Sequence, residues 1–426
     1  MAERTSVLTR PEDVKAAFRD SDQHCKGVNN DAGWLMGELL GSCLGLISGA
    51  DWRQVRAATD EAFTRRAAVA RIDRMVAMTR AHFADLLGGG PPGRQSQERL
   101  DPVADQRHLP FWMLADHLYG DLTPALRSQL AALIPLREAL FRRVIQGGTT
   151  RFAWSRFLPM RTNRQLRAFQ AGWRAFNDAA CARCRLAGEN TAPVVRMYDA
   201  CCASSSSSSS GSVRSEHVLQ TLDEVLFANL DVMIGGISWN LLFLAAHGDV
   251  QTQLREEIAQ AMGPSSEGGG QCSSARAVYL SKNDTLLAAS IREAARLRPA
   301  AAFSIPQAAP TDRVVGGYLV PAGTNFVVDT HAMNIRNPFW GRDSEAYRPA
   351  RFLCRKAPEL RYQYWRFGFG PRQCLGKYIA DLIIGVLVAH LVENYQLSLD
   401  SASTWDKDCE SWIAQTNTTI RCKRKC

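Results

Sequence analysis

The chain has 426 residues, 46% of them hydrophobic, and a formal net charge of +9, enough apolar material for a large core and, by length alone, for two or three domains. Its basic residues are spread through amphipathic stretches instead of forming one stripe, which argues against a nucleic-acid-binding module and favours a basic face for an acidic protein partner. No run of 18 apolar residues is present to span a bilayer, since Leu35–Ala50 is short and broken by glycine.

Apolar period and breakers predict helices over roughly 50–87, 97–118, 123–146, 162–187, 215–247, 249–262, 284–297 and 376–394, and strands at Val314–Leu319, Asn325–Asp329 and Thr416–Cys422. The expected class is mainly α with a small β region. In the first helix, which Asp51 is placed to cap, Trp52 and Arg56 share a face at i, i+4 and offer an indole N–H and a guanidinium. An ordinary amphipathic helix with a snorkelling arginine has the same pattern. Leu87–Arg94 is a turn-rich break, and 203–214 and 263–275, rich in serine and glycine, read as flexible loops. Cys181 and Cys184 have metal-pair spacing and Cys201-Cys202 follow, but further paired ligands are lacking nearby and the eight histidines are scattered. Without a secretory signal peptide, the twelve cysteines are expected as free thiols in a reducing compartment.

Glu224–Ala246 is an apolar helix interrupted by Gly235-Gly236. Each glycine costs about 1 kcal/mol against alanine in a helix interior, so the pair predicts a bulge where a ligand approaches the backbone. Further on, Glu293 and Arg296 share a helix face, an arrangement most often found in solvated surface pairs.

The most specific segment is Phe367–Gly376, FGFGPRQCLG. Cys374 follows Gly368 and Gly370, which let backbone pass close to a flat ligand, and precedes Gly376 and a helix whose N-terminus is expected to lower the thiol pKa. Arg372 is placed to pair with a carboxylate, and Phe367 to shield the sulfur. These are the requirements of a haem-thiolate ligand, in which sulfur donates electron density to iron. The pattern FxxGxRxCxG resembles the cysteine motif of the cytochrome P450 family.

Three other segments agree with that resemblance, in the right order. Trp52–Arg56 is similar to the family's WxxxR and implies contacts to haem propionates. Glu293 and Arg296, with Tyr347-Arg348-Pro349-Ala350-Arg351-Phe352, resemble the segments that form a buried cluster of Glu293, Arg296 and Arg351 bracing the cysteine loop. Aligning the glycine pair with the oxygen-binding helix places Gly235, Gly236 and Ser238 as catalytic positions beside dioxygen. Ile237 then stands where the family has an acid, so protons would come through water, substrate or another group, Asp231 among them.

The resemblance covers nearly the whole chain and implies one P450 domain over 1–426, shortened at its N-terminus, without the usual anchor and first strands. It implies a monooxygenase with haem b that takes O2 and NADPH-derived electrons through an NADPH-cytochrome reductase, with cytochrome b5 as a further donor. A monomer is expected, on the cytosolic face of the endoplasmic reticulum, or in the cytoplasm if the start is genuine. IGGISWN and FGFGPRQCLGKYIADLI look like fungal secondary-metabolite enzymes of gliotoxin-type pathways. This implies hydroxylation or oxidative cyclisation of a small hydrophobic metabolite, a diketopiperazine in mycotoxin biosynthesis. The expected substrate walls are the loop up to Ser48, Leu230–Trp239, Ala300–Pro306 and Ile413–Thr419. Two alternatives are a haem-thiolate isomerase, dehydratase or peroxide-using enzyme, prompted by Ile237, and a non-catalytic truncated fragment, prompted by the early Trp52.

Overall fold

The structure is a computed structural model that describes residues 4–26, 33–87, 98–204, 213–263, 269–409, 411 and 413–425. Two helices carry apolar residues around most of their circumference, which places them in the interior. Lys377–Asn394, the cysteine helix, buries eleven of its 18 residues. Ser215–Asp223, a π-helical turn Glu224–Ala228 and Asn229–Ala246 make the second, referred to here as the central helix, and the two pack on each other. Amphipathic helices turn their apolar faces toward this pair: Ile72–Leu87 lies against the cysteine helix, and Leu286–Leu297 against both. Pro124–Gln146 and Arg161–Leu186 form a further packed pair.

Several predicted boundaries move for identifiable reasons. The stretch 50–87 is broken, because the Thr64 hydroxyl accepts from Ala67 N at 3.3 Å and restarts a helix there. It becomes Gly49–Asp60, a 3₁₀ turn, Arg65–Val69 and Ile72–Leu87. At the predicted 97–118 helix, the Asp101 carboxylate takes the N–H groups of Val103 and Ala104 at 2.8 and 2.9 Å, a local turn that delays the helix to Leu109. Pro193–Ser204 is an additional helix, in which Cys201 and Cys202 lie. Gly269–Ser281 is another, and it occupies part of the 263–275 stretch expected as loop. The remainder of both expected loops, 205–212 and 264–268, lies outside the described residues, as does most of Leu87–Arg94.

Strand Thr5–Leu8 pairs in parallel with Asn325–Val328, which pairs antiparallel with Gln307–Ala308. The chain therefore has a strand before Trp52, where the first strands were expected to be missing. The run expected as one strand at Val314–Leu319 is a hairpin, Arg313–Val315 with Tyr318–Val320, turning at Gly316-Gly317 with φ of 62° and 84°. Both positive values suit a tight primed turn, which glycine alone adopts freely. Near the C-terminus, Ile420–Arg424 pairs with Tyr395–Ser398 and Arg99–Leu100. Among the described residues one helix, Ser215–Ala246, is long and apolar enough to cross a membrane, and 76% of its most apolar window is buried inside the protein.

Candidate active site

The cysteine loop is closed by its own backbone. Cys374 N donates to Phe367 O at 2.8 Å and Gln373 N to Gly370 O at 3.1 Å. Gly368 and Gly370 have φ of 77° and 71°, left-handed backbone that disfavours any side chain. A Cβ on Gly370 would also overlap Ser21 Oγ. Gly376 differs: it starts the cysteine helix at φ −83°, and a Cβ there would meet Ile379 at an ordinary 3.7 Å. Phe367 is half-buried under the Arg366 guanidinium, 4.4 Å from its ring centre.

Cys374 is exposed, yet desolvation by the surrounding protein raises its thiol pKa above the ordinary value. A side chain that is both accessible and desolvated lines an interior cleft. The backbone N–H of Gly376, at the helix start, pulls the pKa down, as do Arg56 and Arg366, but they do not outweigh burial. The net direction is thus opposite to the lowering expected from the helix N-terminus alone. A metal cation held by the sulfur would offset this burial and favour the thiolate.

Cations converge on this cleft. Arg372 is buried, donates through both terminal nitrogens to Ile47 O at 3.1 Å, and stacks 4.5 Å over Trp52. Its Nε has no partner, and burial lowers its pKa to about 10. Arg56 donates to Gln373 O at 3.1 Å and pairs with Asp60 at 2.5 Å. Lys26, which no sequence pattern singled out, is fixed by Ser48, whose Oγ accepts from Lys26 N at 2.7 Å. Burial and then the Arg372 charge lower its pKa to about 8, while Glu224, Cys43 and Cys374 act in the other direction.

Glu224, at the start of the π turn, is the nearby half-buried carboxylate, its pKa raised by desolvation. It accepts from Gly45 N at 3.0 Å and hydrogen-bonds the Cys43 thiol. Leu44 N donates to Thr221 Oγ1 at 3.1 Å and Ser42 N to Gln220 Oε1 at 2.6 Å, so three backbone donors of one loop are held by one stretch of the central helix. Gly45 has no room for a side chain, because a Cβ would overlap the Glu224 carboxylate.

These residues fit haem: a cysteine sulfur as soft ligand, glycine backbone beside it, and a buried, desolvated Arg372 whose Nε has no partner, with Arg56 and Lys26 nearby, where propionates would supply acceptors.

The charge cluster is assembled behind the loop. Arg296 clasps Glu293 at 2.7 and 2.8 Å, and Arg351 Nε reaches the same carboxylate at 3.1 Å, with all three side chains fully buried. Arg351 also donates to Trp340 O at 2.7 Å, and Arg296 to Asn334 O at 2.8 Å. The Asn334 side chain bonds both N and O of Trp365 at 2.8 Å, two residues before Phe367. A continuous chain of hydrogen bonds thus joins Glu293 to the cysteine loop.

The central helix does not follow the expected pattern. The glycine pair marks no bulge; the π turn lies about two turns earlier, at Glu224–Ala228. A Cβ on Gly235 would come within 2.8 Å of Ala414 O, and one on Gly236 within 3.3 Å of Ile384. Close packing against the C-terminal segment and the cysteine helix explains both residues. Ser238 is fully buried, bonded to Gly235 O at 3.1 Å and accepting from Thr416 N at 3.4 Å, and Ile237 is equally buried. Asp231 instead lines a cavity of about 240 Å³, paired with Arg107 at 3.2 Å and approached by Gln415. Cys184, one of the spaced cysteines, is buried and donates to Tyr119 O at 3.3 Å.

Known proteins agree with this arrangement. The profile of the family described as Cytochrome P450 matches residues 1–424. Cytochrome P450 monooxygenase aclC of Aspergillus oryzae is 48% identical, over 98% of this chain and 82% of its own length. For asaD of Aspergillus flavus the values are 46%, 98% and 78%, and for gliC of Aspergillus fumigatus 39%, 98% and 80%. A zebra fish cytochrome P450 solved with progesterone superposes with a TM-score of 0.75 at 17% identity, over all of this chain and 94% of that one, a likeness of fold. The chain therefore belongs to the cytochrome P450 family, as a haem-thiolate monooxygenase of the fungal secondary-metabolite type.

Proposed function

We propose that this monooxygenase hydroxylates or oxidatively cyclises a small cyclic dipeptide, a diketopiperazine of a mycotoxin pathway. The observation that carries this reading is the cavity beside the central helix. It joins aromatic and aliphatic wall, Phe141, Ile145, Phe227 and Leu230, to hydrogen-bonding groups, Arg137, Asp231 and Gln415. Such a mixture suits a compact ring with amides better than a plain hydrocarbon. The resemblance of IGGISWN and FGFGPRQCLGKYIADLI to gliotoxin-type enzymes points the same way.

Haem, when bound, supplies the reductive activation of dioxygen and its insertion into a C–H bond. The chain's own groups divide the remaining work. Cys374 would be the iron ligand, and Arg372, Arg56 and Lys26 would hold the propionates, with Trp52 stacked on Arg372. Glu293, Arg296 and Arg351 keep the loop in place. Asp231 Oδ1, on a solvent-connected cavity, is the proton-carrying carboxylate of the central helix. Ser238 is a packing residue. Exposed Lys356 and Arg361, on the approach to the cysteine loop, contribute to docking an NADPH-cytochrome reductase, with cytochrome b5 as a further donor, on the cytosolic face of the endoplasmic reticulum.

The test is spectroscopy of the purified chain. Reduced protein under carbon monoxide is expected to show the absorption band of haem-thiolate proteins, and Cys374→Ala to lose it. A band retained by that variant refutes the ligand assignment. A panel of diketopiperazines should include members that shift the ferric spin state, and absence of a shift across the panel removes the substrate class.

A further inference from the structure

Outside the haem cleft, a helical hairpin carries four cysteines. Arg161–Leu186, with Cys181 and Cys184, turns back into Pro193–Ser204, with Cys201 and Cys202, and the two helices pack on each other. Asp178, Cys181 and Arg185 lie one turn apart along one face of the first helix. On the second, Cys202 lies one turn beyond both Tyr198 and Asp199. Tyr198 OH donates to Asp178 at 2.9 Å, and Arg185 donates to Asp199 at 2.6 Å. These two bonds set the register of the hairpin, and Cys181 sits between their anchor residues, opposite the turn that carries Cys202. The charge of Cys202 reaches Cys181, and the charge of each reaches Arg185.

The other two sulfurs are turned elsewhere. Cys184 is buried and donates to Tyr119 O at 3.3 Å. Cys201 is the immediate neighbour of Cys202, so their side chains leave the helix about 100° apart and cannot meet with regular disulfide geometry. Within the facing pair the exposures differ: Cys181 is 2% exposed and burial raises its thiol pKa, whereas Cys202 is exposed. One thiol is open to an oxidant in solution, and the other is sheltered behind it.

We propose that Cys181 and Cys202 are an oxidisable pair, a modification site that closes as a disulfide across the hairpin. The oxidant is hydrogen peroxide, which a monooxygenase releases when dioxygen is reduced without oxidation of substrate. The Cys202 sulfur attacks the peroxide O–O bond, giving a sulfenic acid and one water. The Cys181 sulfur then displaces the hydroxyl, which leaves with the Cys181 proton as a second water. The two thiols lose two hydrogens and two electrons, and one peroxide is reduced. The new bond ties Arg161–Leu186 to the helix that packs on Gly49–Asp60, the carrier of Trp52 and Arg56.

The test exposes the haem-loaded chain to equimolar hydrogen peroxide, caps the remaining thiols with an alkylating reagent, and maps unreduced peptides by mass spectrometry. Joined Cys181 and Cys202 peptides, two hydrogens lighter than their sum, are expected in most chains, and a thiol reductant should part them. Cys181→Ala should leave Cys202 as a sulfenic acid that dimedone labels, and Cys202→Ser should leave Cys181 reduced. The wild-type map decides the pairing by itself if either variant fails to fold. Cys202 found reduced, as a sulfinic acid, or joined to any cysteine other than Cys181 overturns the assignment, as does a Cys181 that oxidises equally fast once Cys202 is serine.

Discussion

Lys26 illustrates how a half-buried charge can be set for a ligand instead of for the fold. Its ordinary pKa of 10.5 falls to about 8 in the folded chain, so between those values the unfolded state binds more protons. Without haem, stability should therefore rise with pH from about 8 to 10.5, the window of that shift. Lys26→Met should be more stable than wild type in the haem-free protein at pH 7, by about 1–3 kcal/mol, with the gain vanishing above pH 10.5. The same variant should release haem faster once loaded. Urea midpoints across pH and haem transfer to an acceptor globin measure the two effects. A haem-free chain destabilised by the substitution would mean that Lys26 serves Glu224 and the fold alone. Nothing near Lys26 in the sequence betrays this role, because its neighbours Arg372 and Cys374 reach it only through the chain crossing that Ser48 fixes.

At the scale of elements, the helix Leu286–Leu297 matters through one carboxylate. Glu293 receives bonds from Arg296, Arg351 and the backbone of Arg348, at distances from 2.7 to 3.1 Å. Glu293→Gln leaves two buried guanidinium groups without their counter-charge, and should cost about 3–5 kcal/mol. Most of the protein should then fail to take up haem, read as haem content per chain after expression, whereas an unchanged content would separate the cluster from the loop. The Glu293–Arg296 pairing at i, i+3 and the cysteine loop were readable as short local patterns, whereas Arg351, 55 residues after Arg296, was reached only through the family resemblance. The meaning of Gly235 and Gly236 was not readable. Their missing side chains make room for Ala414 and Ile384, far along the chain, and local spacing carries no record of such neighbours. The same holds for the break at Thr64, where a capping hydroxyl overrides an apolar period that continues through it.

For the whole molecule, the two mostly apolar helices form a core around which the remaining helices order themselves, and this much follows from hydrophobic pattern. The small sheets were less legible, since strands of two to five residues carry little periodicity. Net charge also acts at this scale. With +9 overall, docking of an acidic electron donor should be steered electrostatically, and reduction by a partner reductase should slow several-fold as salt is raised from 50 to about 500 mM. Stopped-flow reduction at several ionic strengths checks this, and a salt-independent rate would move the docking surface away from the basic residues.

Gly45 has a consequence for how this chain can change over evolutionary time. Its backbone is not left-handed, so the glycine is required by space alone, space claimed by the carboxylate of Glu224. The carboxylate cannot withdraw without abandoning Gly45 N and the Cys43 thiol. Positions 45 and 224 are therefore coupled: a lineage that enlarges the first must shorten the second, and the two should co-vary although 178 residues lie between them.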